Sequence, residues 1–104
     1  MWYIDIMSSI RLNITQALLK AKAAVRAGNI SFSGHALKEL LEDDLDRSDA
    51  INVLLSSSAR ITDQAELVNG TWRYRVKTKT ICVVIAFQET DRVVVITVFR
   101  ILRR

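Results

Sequence analysis

The chain has 104 residues, half of them apolar, with 15 Lys/Arg against 11 Asp/Glu, no proline and one cysteine. That describes one domain, residues 1–104, with a small but real core; it excludes long disordered linkers, a disulfide framework within the chain and a cysteine metal site. No apolar run reaches the roughly 20 residues of a membrane helix, Met1–Ile10 lacks the basic start of a signal peptide, and the lone Cys82 in an apolar run suits a reducing cytoplasm.

Charge divides the chain. Residues 1–69 carry seven Lys/Arg and nine Asp/Glu, whereas residues 70–104 carry eight and two. A basic half beside a mildly acidic one points to a polyanionic partner, such as RNA, DNA or an acidic protein segment, or else to an ordinary solvated surface.

Taken in order, Met1–Met7 contains Trp-Tyr-Ile-Asp-Ile, which reads as a short strand or as an extension ahead of Met7. From Ile10 the period changes: Ile14, Ala17, Leu18, Ala21, Ala24 and Val25 form the stripe of an amphipathic helix over 10–27. Gly28 can end it in the left-handed conformation. Ile30-Ser31-Phe32 is short and extended. Ser33 then caps a helix of about two turns, with Leu37, Leu40 and Leu41 on one face. The acidic stretch Glu42-Asp43-Asp44-Leu45-Asp46 reads as a solvated loop, although four carboxylates also invite a metal. Asp46 or Ser48 caps the next helix, Asp49–Leu55, with Ile51, Leu54 and Leu55 inward, so that short helices fill 35–55.

The remainder is sheet, over 59–100. Residues 59–67 are a first strand, with Ile61, Ala65 and Leu67 as its apolar points, and Asn69-Gly70 is the strongest hairpin signal in the chain. Strands at 72–77, 80–87 and 92–99 follow, and their short connections make them antiparallel neighbours. In 72–77, alternation puts Trp72, Tyr74 and Val76 on one side and Arg73, Arg75 and Lys77 on the other. Ile81–Phe87 is apolar on both sides, as in a central strand. The fold class is α+β, with N-terminal helices on an antiparallel sheet of about four strands, and a basic tail leaves the last one.

Few residues can do chemistry. His35 is the only histidine; it has the intrinsic pKa of a general base, or it is structural. Arg73, Arg75 and Lys77, with Arg100 leaving the neighbouring strand, can hold phosphate oxygens in the forked geometry of guanidinium, or pair with Asp63 or Glu66 alongside. Tyr74 points to the opposite face and joins them only through a bulge. Thr97, inside an apolar run, needs a partner or an opening. No phosphate loop, serine-hydrolase elbow or zinc-protease signature is present.

Phe32-Ser33-Gly34-His35-Ala36-Leu37, Glu42-Asp43-Asp44, Asp49-Ala-Ile-Asn-Val-Leu54, Gly70-Thr-Trp-Arg-Tyr-Arg-Val76 and Val95-Ile-Thr-Val-Phe-Arg100 together resemble the DUF4258 family, over residues 25–100. The segment Ala24–Leu37 is also similar to the MqsR-type toxins, members of the wider RelE-like group of ribonucleases. That resemblance implies helices on a curved antiparallel sheet and messenger-RNA cleavage without a metal or other cofactor. It also implies control by a co-encoded antitoxin, often with zinc-binding and DNA-binding helical domains. Carried over by residue, His35 matches the family's His-Ala pair, Arg73–Arg75 its Arg/Tyr strand, and Thr97 with Arg100 its terminal strand. In the MqsR-type site Arg73 falls near a glutamine, Tyr74 stands for a tyrosine and Arg100 for a lysine.

Metal-free RNA cleavage needs a base near the 2′-hydroxyl, a cation on the phosphate and an acid for the leaving oxygen. His35, Tyr74, Arg75 and Arg100 are the expected catalytic set. Arg73, Lys77, Lys79 and Thr97 are the expected RNA contacts, and no metal site is expected. The expected function is a metal-independent endoribonuclease toxin; the alternatives are a non-catalytic RNA- or protein-binding module on the same scaffold, and a structural partner of an acidic protein.

Overall fold

The structure is a computed structural model and describes residues 10–88 and 91–101. The strand or extension expected at Met1–Met7 and the basic tail beyond Ile101 lie outside the described residues. Its elements are α1 (Ile14–Arg26), β1 (Ile30–Phe32), α2 (Gly34–Glu42), α3 (Arg47–Leu55), β2 (Glu66–Val68), β3 (Thr71–Lys77), β4 (Ile81–Gln88) and β5 (Arg92–Arg100). The strands form one open sheet in the order β1-β5-β4-β3-β2. The fold is thus mixed α+β.

Each helix starts where a side chain can satisfy its free N–H groups. α1 begins at Ile14 rather than Ile10, because Asn13 and Gln16 form a reciprocal capping box. It ends as expected at Gly28, at φ +80°, where the Gly28 and Asn29 N–H groups donate to the Val25 and Ala24 carbonyls. Ser33 caps α2 by accepting from the Ala36 N–H at 3.0 Å. Asp46, not Ser48, caps α3. With α3 starting at Arg47, the inward residues are Ala50, Val53 and Leu54, a shift from the expected Ile51, Leu54 and Leu55. The acidic stretch is also more than a solvated loop: Leu45 is buried, its N–H donating to the Leu40 carbonyl, and Asp44 takes the left-handed position at φ 56°.

The sheet has five strands rather than about four, and it is not wholly antiparallel. The added strand is β1, which pairs in parallel with Val93–Val95 of β5; such pairing over 60 residues of chain carries no local signal. The expected strand over 59–67 shrinks to β2, plus an isolated bridge from Arg60 to Lys77. Thr62-Asp63-Gln64 between them suits a strand poorly. Asn69 and Gly70 both take positive φ, as a tight two-residue hairpin demands, and β2 and β3 pair from Val68 and Thr71 onward.

The three helices of the described residues pack against one face of the sheet. Ala17, Ala21, Ala24, Ala36 and Ala50 are almost wholly buried and let the helices approach closely, while Leu40, Val53 and Leu54 fill between them. They meet Tyr74 and Val76, Ile81, Val83, Ile85 and Phe87, and Val93, Val95 and Val98. β4 is central, as its sequence implies, and every residue from Ile81 to Phe87 is buried. Among the described residues no helix is long and apolar enough to cross a membrane.

The pairing of β4 with β5 slips between Val84 and Ile85: Val84 pairs with Thr97 but Ile85 with Val95. Ile96 is the extra residue of a β-bulge. Val93 and Val95 face the helices on one parity and Val98 on the other, so the bulge turns Thr97 away from the helices.

α2 runs beside the stretch of β5 that β1 leaves unpaired. The Val98 N–H donates to Glu39 Oε1 at 3.0 Å, and the Arg100 N–H donates to Asp43 Oδ2 at 3.0 Å. Four helical residues rise about 6 Å and two strand residues about 7 Å, so carboxylates one helical turn apart match alternate N–H groups along the strand edge.

Candidate nucleic-acid interface

The face of the sheet turned away from the helices carries the cationic ladder. Two cross-strand rows define it: Lys77–Cys82–Phe99 and Arg75–Val84–Thr97, each running from β3 through β4 to β5. Ala86 continues the floor beside Val94. Cys82, Val84 and Ala86 are buried yet lie outside the core formed with the helices. This sheet face, the trough, has small apolar residues along its middle strand, cations along β3, and Thr97 and Phe99 along β5. Strand spacing puts Arg75 and Thr97 about 10 Å apart at the backbone. Among the described residues no helix covers this face.

Charge on this face is only partly neutralised. Lys77 Nζ lies 2.8 Å from Asp63 Oδ2, and that hydrogen bond, with Lys77 and Arg75 nearby, holds the Asp63 carboxyl below its usual range. A carboxylate lowered in this way stabilises the fold above its unfolded pKa, and that contribution fades as pH falls through the lowered value. Arg75 is exposed and Arg73 half-buried. Neither forms an ion pair among the described residues, although Arg73 faces Glu66 in register. The Arg73 Nε is buried and has no hydrogen-bond partner, a state that proteins rarely leave without cause.

Burial pushes the Cys82 thiol up, while Arg75 and Lys77 pull the other way. The thiolate is the reactive form, so Cys82 in the folded protein should react with iodoacetamide only as fast as the protein unfolds. Rapid alkylation of native protein, read by mass spectrometry across a urea series, would show that the trough floor is not sealed.

The expected site residues are dispersed. Arg73, Arg75, Lys77 and Thr97 share the trough, and Lys79 lies exposed in the turn beyond it. Tyr74 keeps strict alternation and sits on the helix face, 2 % exposed, its hydroxyl accepting from the Leu12 N–H at 2.8 Å. There it lines an open cavity of about 650 Å³ between Arg11–Thr15 and Ile61–Ala65. The Arg100 side chain turns to α2, where its Nε–H donates to the Asp43 carbonyl. His35 is exposed on α2 beside β5, with Nε2 3.3 Å from Glu39 Oε2. Two carboxylates of the acidic stretch have structural tasks: Asp43 serves β5, and Asp46 caps α3.

Phe99 is a trough residue that the sequence reasoning missed. Its signal was present, since it stands two residues after Thr97 and shares its parity. Arg60 was missed as well, and no local pattern pairs it with Lys77.

A family described as domain of unknown function (DUF4258) matches residues 32–100, from the end of β1 through β5. No curated protein and no solved structure matches the chain.

Proposed function

The chain belongs to the DUF4258 family, and from that premise we propose that it is a metal-independent endoribonuclease, the toxin of a type II toxin–antitoxin pair with a RelE-like site. The observation that carries this reading is the row Arg75–Val84–Thr97 on a sheet face that the described helices leave open. Cations at every second residue of β3 recur about every 7 Å, a spacing suited to tracking the backbone of an extended single strand, and Phe99 offers a ring on which a base can stack.

In the reaction, the 2′-oxygen attacks the adjacent phosphorus and gives its proton to a base. The 5′-oxygen leaves with a proton from an acid, and the products are a 2′,3′-cyclic phosphate and a 5′-hydroxyl. Arg75 stabilises the extra negative charge on the phosphorus oxygens, and the half-buried Arg73 on the same face adds positive charge beside it. His35, paired with Glu39 on α2 alongside β5, is the one histidine for proton transfer, so this reading requires the reacting phosphate to lie at the β5 edge of the trough, with water taking the complementary proton. A co-encoded antitoxin is the expected protein partner, and the cytoplasm the expected compartment.

The engagement of Tyr74 and Arg100 in packing and capping favours a second reading, a non-catalytic RNA-binding module using the same trough.

Purified protein should cut single-stranded RNA into fragments ending in cyclic phosphate. Arg75→Ala should slow this about 10²–10³-fold without lowering the melting temperature, because the side chain is exposed. Intact RNA bound in a salt-dependent way, with a salt slope reduced by about one in Arg75→Ala, would reject cleavage and establish the binding module. Absence of RNA binding would reject both.

A further inference from the structure

Beyond the trough, a second cavity opens where β3 ends and the β3–β4 turn begins. Its volume is about 490 Å³, within the range of roughly 300–1,000 Å³ for small-molecule sites and larger than a bare inorganic ion needs. Three cations line it: Arg60, Lys77 and Lys79. The rest of its wall is hydroxyl-bearing, from Ser58, Thr62, Thr78 and Thr80, and no carboxylate lines it.

Two features make this more than a basic surface. The cavity is held by backbone pairing, because Arg60 and Lys77 exchange both N–H···O=C bonds, at 2.9 and 2.8 Å, and the Thr78 N–H donates to the Ile81 carbonyl. Its cations therefore project from a fixed frame. Their charge is also available: Lys77 has Asp63, but neither Arg60 nor Lys79 forms an ion pair among the described residues. Two cations without an ion-pair partner beside a third that has one, on a rigid frame with hydroxyls between them, favour an anion with several oxygens.

We propose that this cavity, framed by Arg60, Lys77 and Lys79, binds the phosphate group of a nucleotide. Its size admits the sugar as well as the phosphate. The phosphate arrives either at the 5′-end of a strand lying in the trough, with Lys77 common to both sites, or on a free nucleotide. The site stands whether or not RNA is cut, since it needs only the anion.

The test is amide NMR on the whole chain, first with inorganic phosphate and then with short single-stranded DNA, which lacks the 2′-hydroxyl and stays intact, carrying a 5′-phosphate or a 5′-hydroxyl. Phosphate should produce saturable shifts at Thr78, Lys79 and Thr80. Arg60→Ala/Lys79→Ala should weaken that binding about tenfold or more, and both side chains are exposed, so the fold should hold. The charge-matched control Arg26→Ala/Lys38→Ala should leave it unchanged. Tighter binding of the 5′-phosphorylated strand than of the 5′-hydroxyl strand supports the strand-end source. Equal affinity of the two strands, with phosphate still saturating the cavity, supports a free nucleotide. No saturable shift at millimolar phosphate, or equal losses in the two double variants, would overturn the site. Failure of RNA cleavage with the phosphate site intact would instead count against the ribonuclease reading.

Discussion

Tyr74→Ala is expected to destabilise the fold by about 3–5 kcal/mol, the usual cost of deleting a large buried ring. Tyr74 is 2 % exposed, and its ring meets that of Phe87 at 5.7 Å between centroids, tilted by 57°. Its hydroxyl also anchors the segment ahead of α1 through Leu12. Small domains have roughly 5–15 kcal/mol in total, so this one change removes a large share. Tyr74→Phe keeps the ring and leaves only the Leu12 N–H without its acceptor, a loss of about 1–3 kcal/mol. Urea denaturation of both variants checks the pair. The comparison matters for function, because loss of cleavage in Tyr74→Ala would report unfolding. Tyr74→Phe with normal stability and no cleavage would instead place the hydroxyl in the chemistry and contradict its structural assignment.

Glu39→Ala and Asp43→Ala should each cost about 1–3 kcal/mol, as charge-assisted bonds to the Val98 and Arg100 N–H groups are lost. The larger consequence is at the strand edge. An unpaired strand edge is a template for pairing with another chain, so the double variant should self-associate. Sedimentation velocity reads the association, and hydrogen exchange at Val98 and Arg100 reads the lost protection. Glu39→Gln keeps an acceptor oxygen and should recover most of the stability lost in Glu39→Ala. Unchanged exchange at Val98 in Glu39→Ala would mean that packing of α2, not its carboxylate, seals this edge. Since Glu39 also holds His35, a cleavage defect in His35→Ala gains meaning only beside Glu39→Gln.

The position of Thr97 shows how far local pattern reaches. Its place in an apolar run signalled that it needed a partner or an opening, and it opens into the trough half-buried. Yet by parity with Val93 and Val95 it would have faced the helices. Only the slipped register opposite Val84 turns it outward, and a register mismatch belongs to two strands at once. Arg100 shows the reverse case. It has phosphate-binding chemistry, but the strand end places it at the last turn of α2, where the Asp43 carbonyl takes its Nε–H.

The sequence alone determined whatever depends on neighbours within a few residues. That covers the helix cap at Ser33, the end of α1 at Gly28, the Asn69-Gly70 hairpin, the alternation that splits Tyr74 from Arg73 and Arg75, and the burial of β4 on both faces. Each follows from backbone dihedrals or from side-chain periods of 2 and 3.6. Tertiary structure decided the parallel β1–β5 pair, the bulge at Ile96, the carboxylates of α2 along β5, and the meeting of Arg60 with Lys77. These join residues far apart in the chain. Their partners are selected by packing and by the need to satisfy buried or edge-facing N–H groups, which no local period encodes.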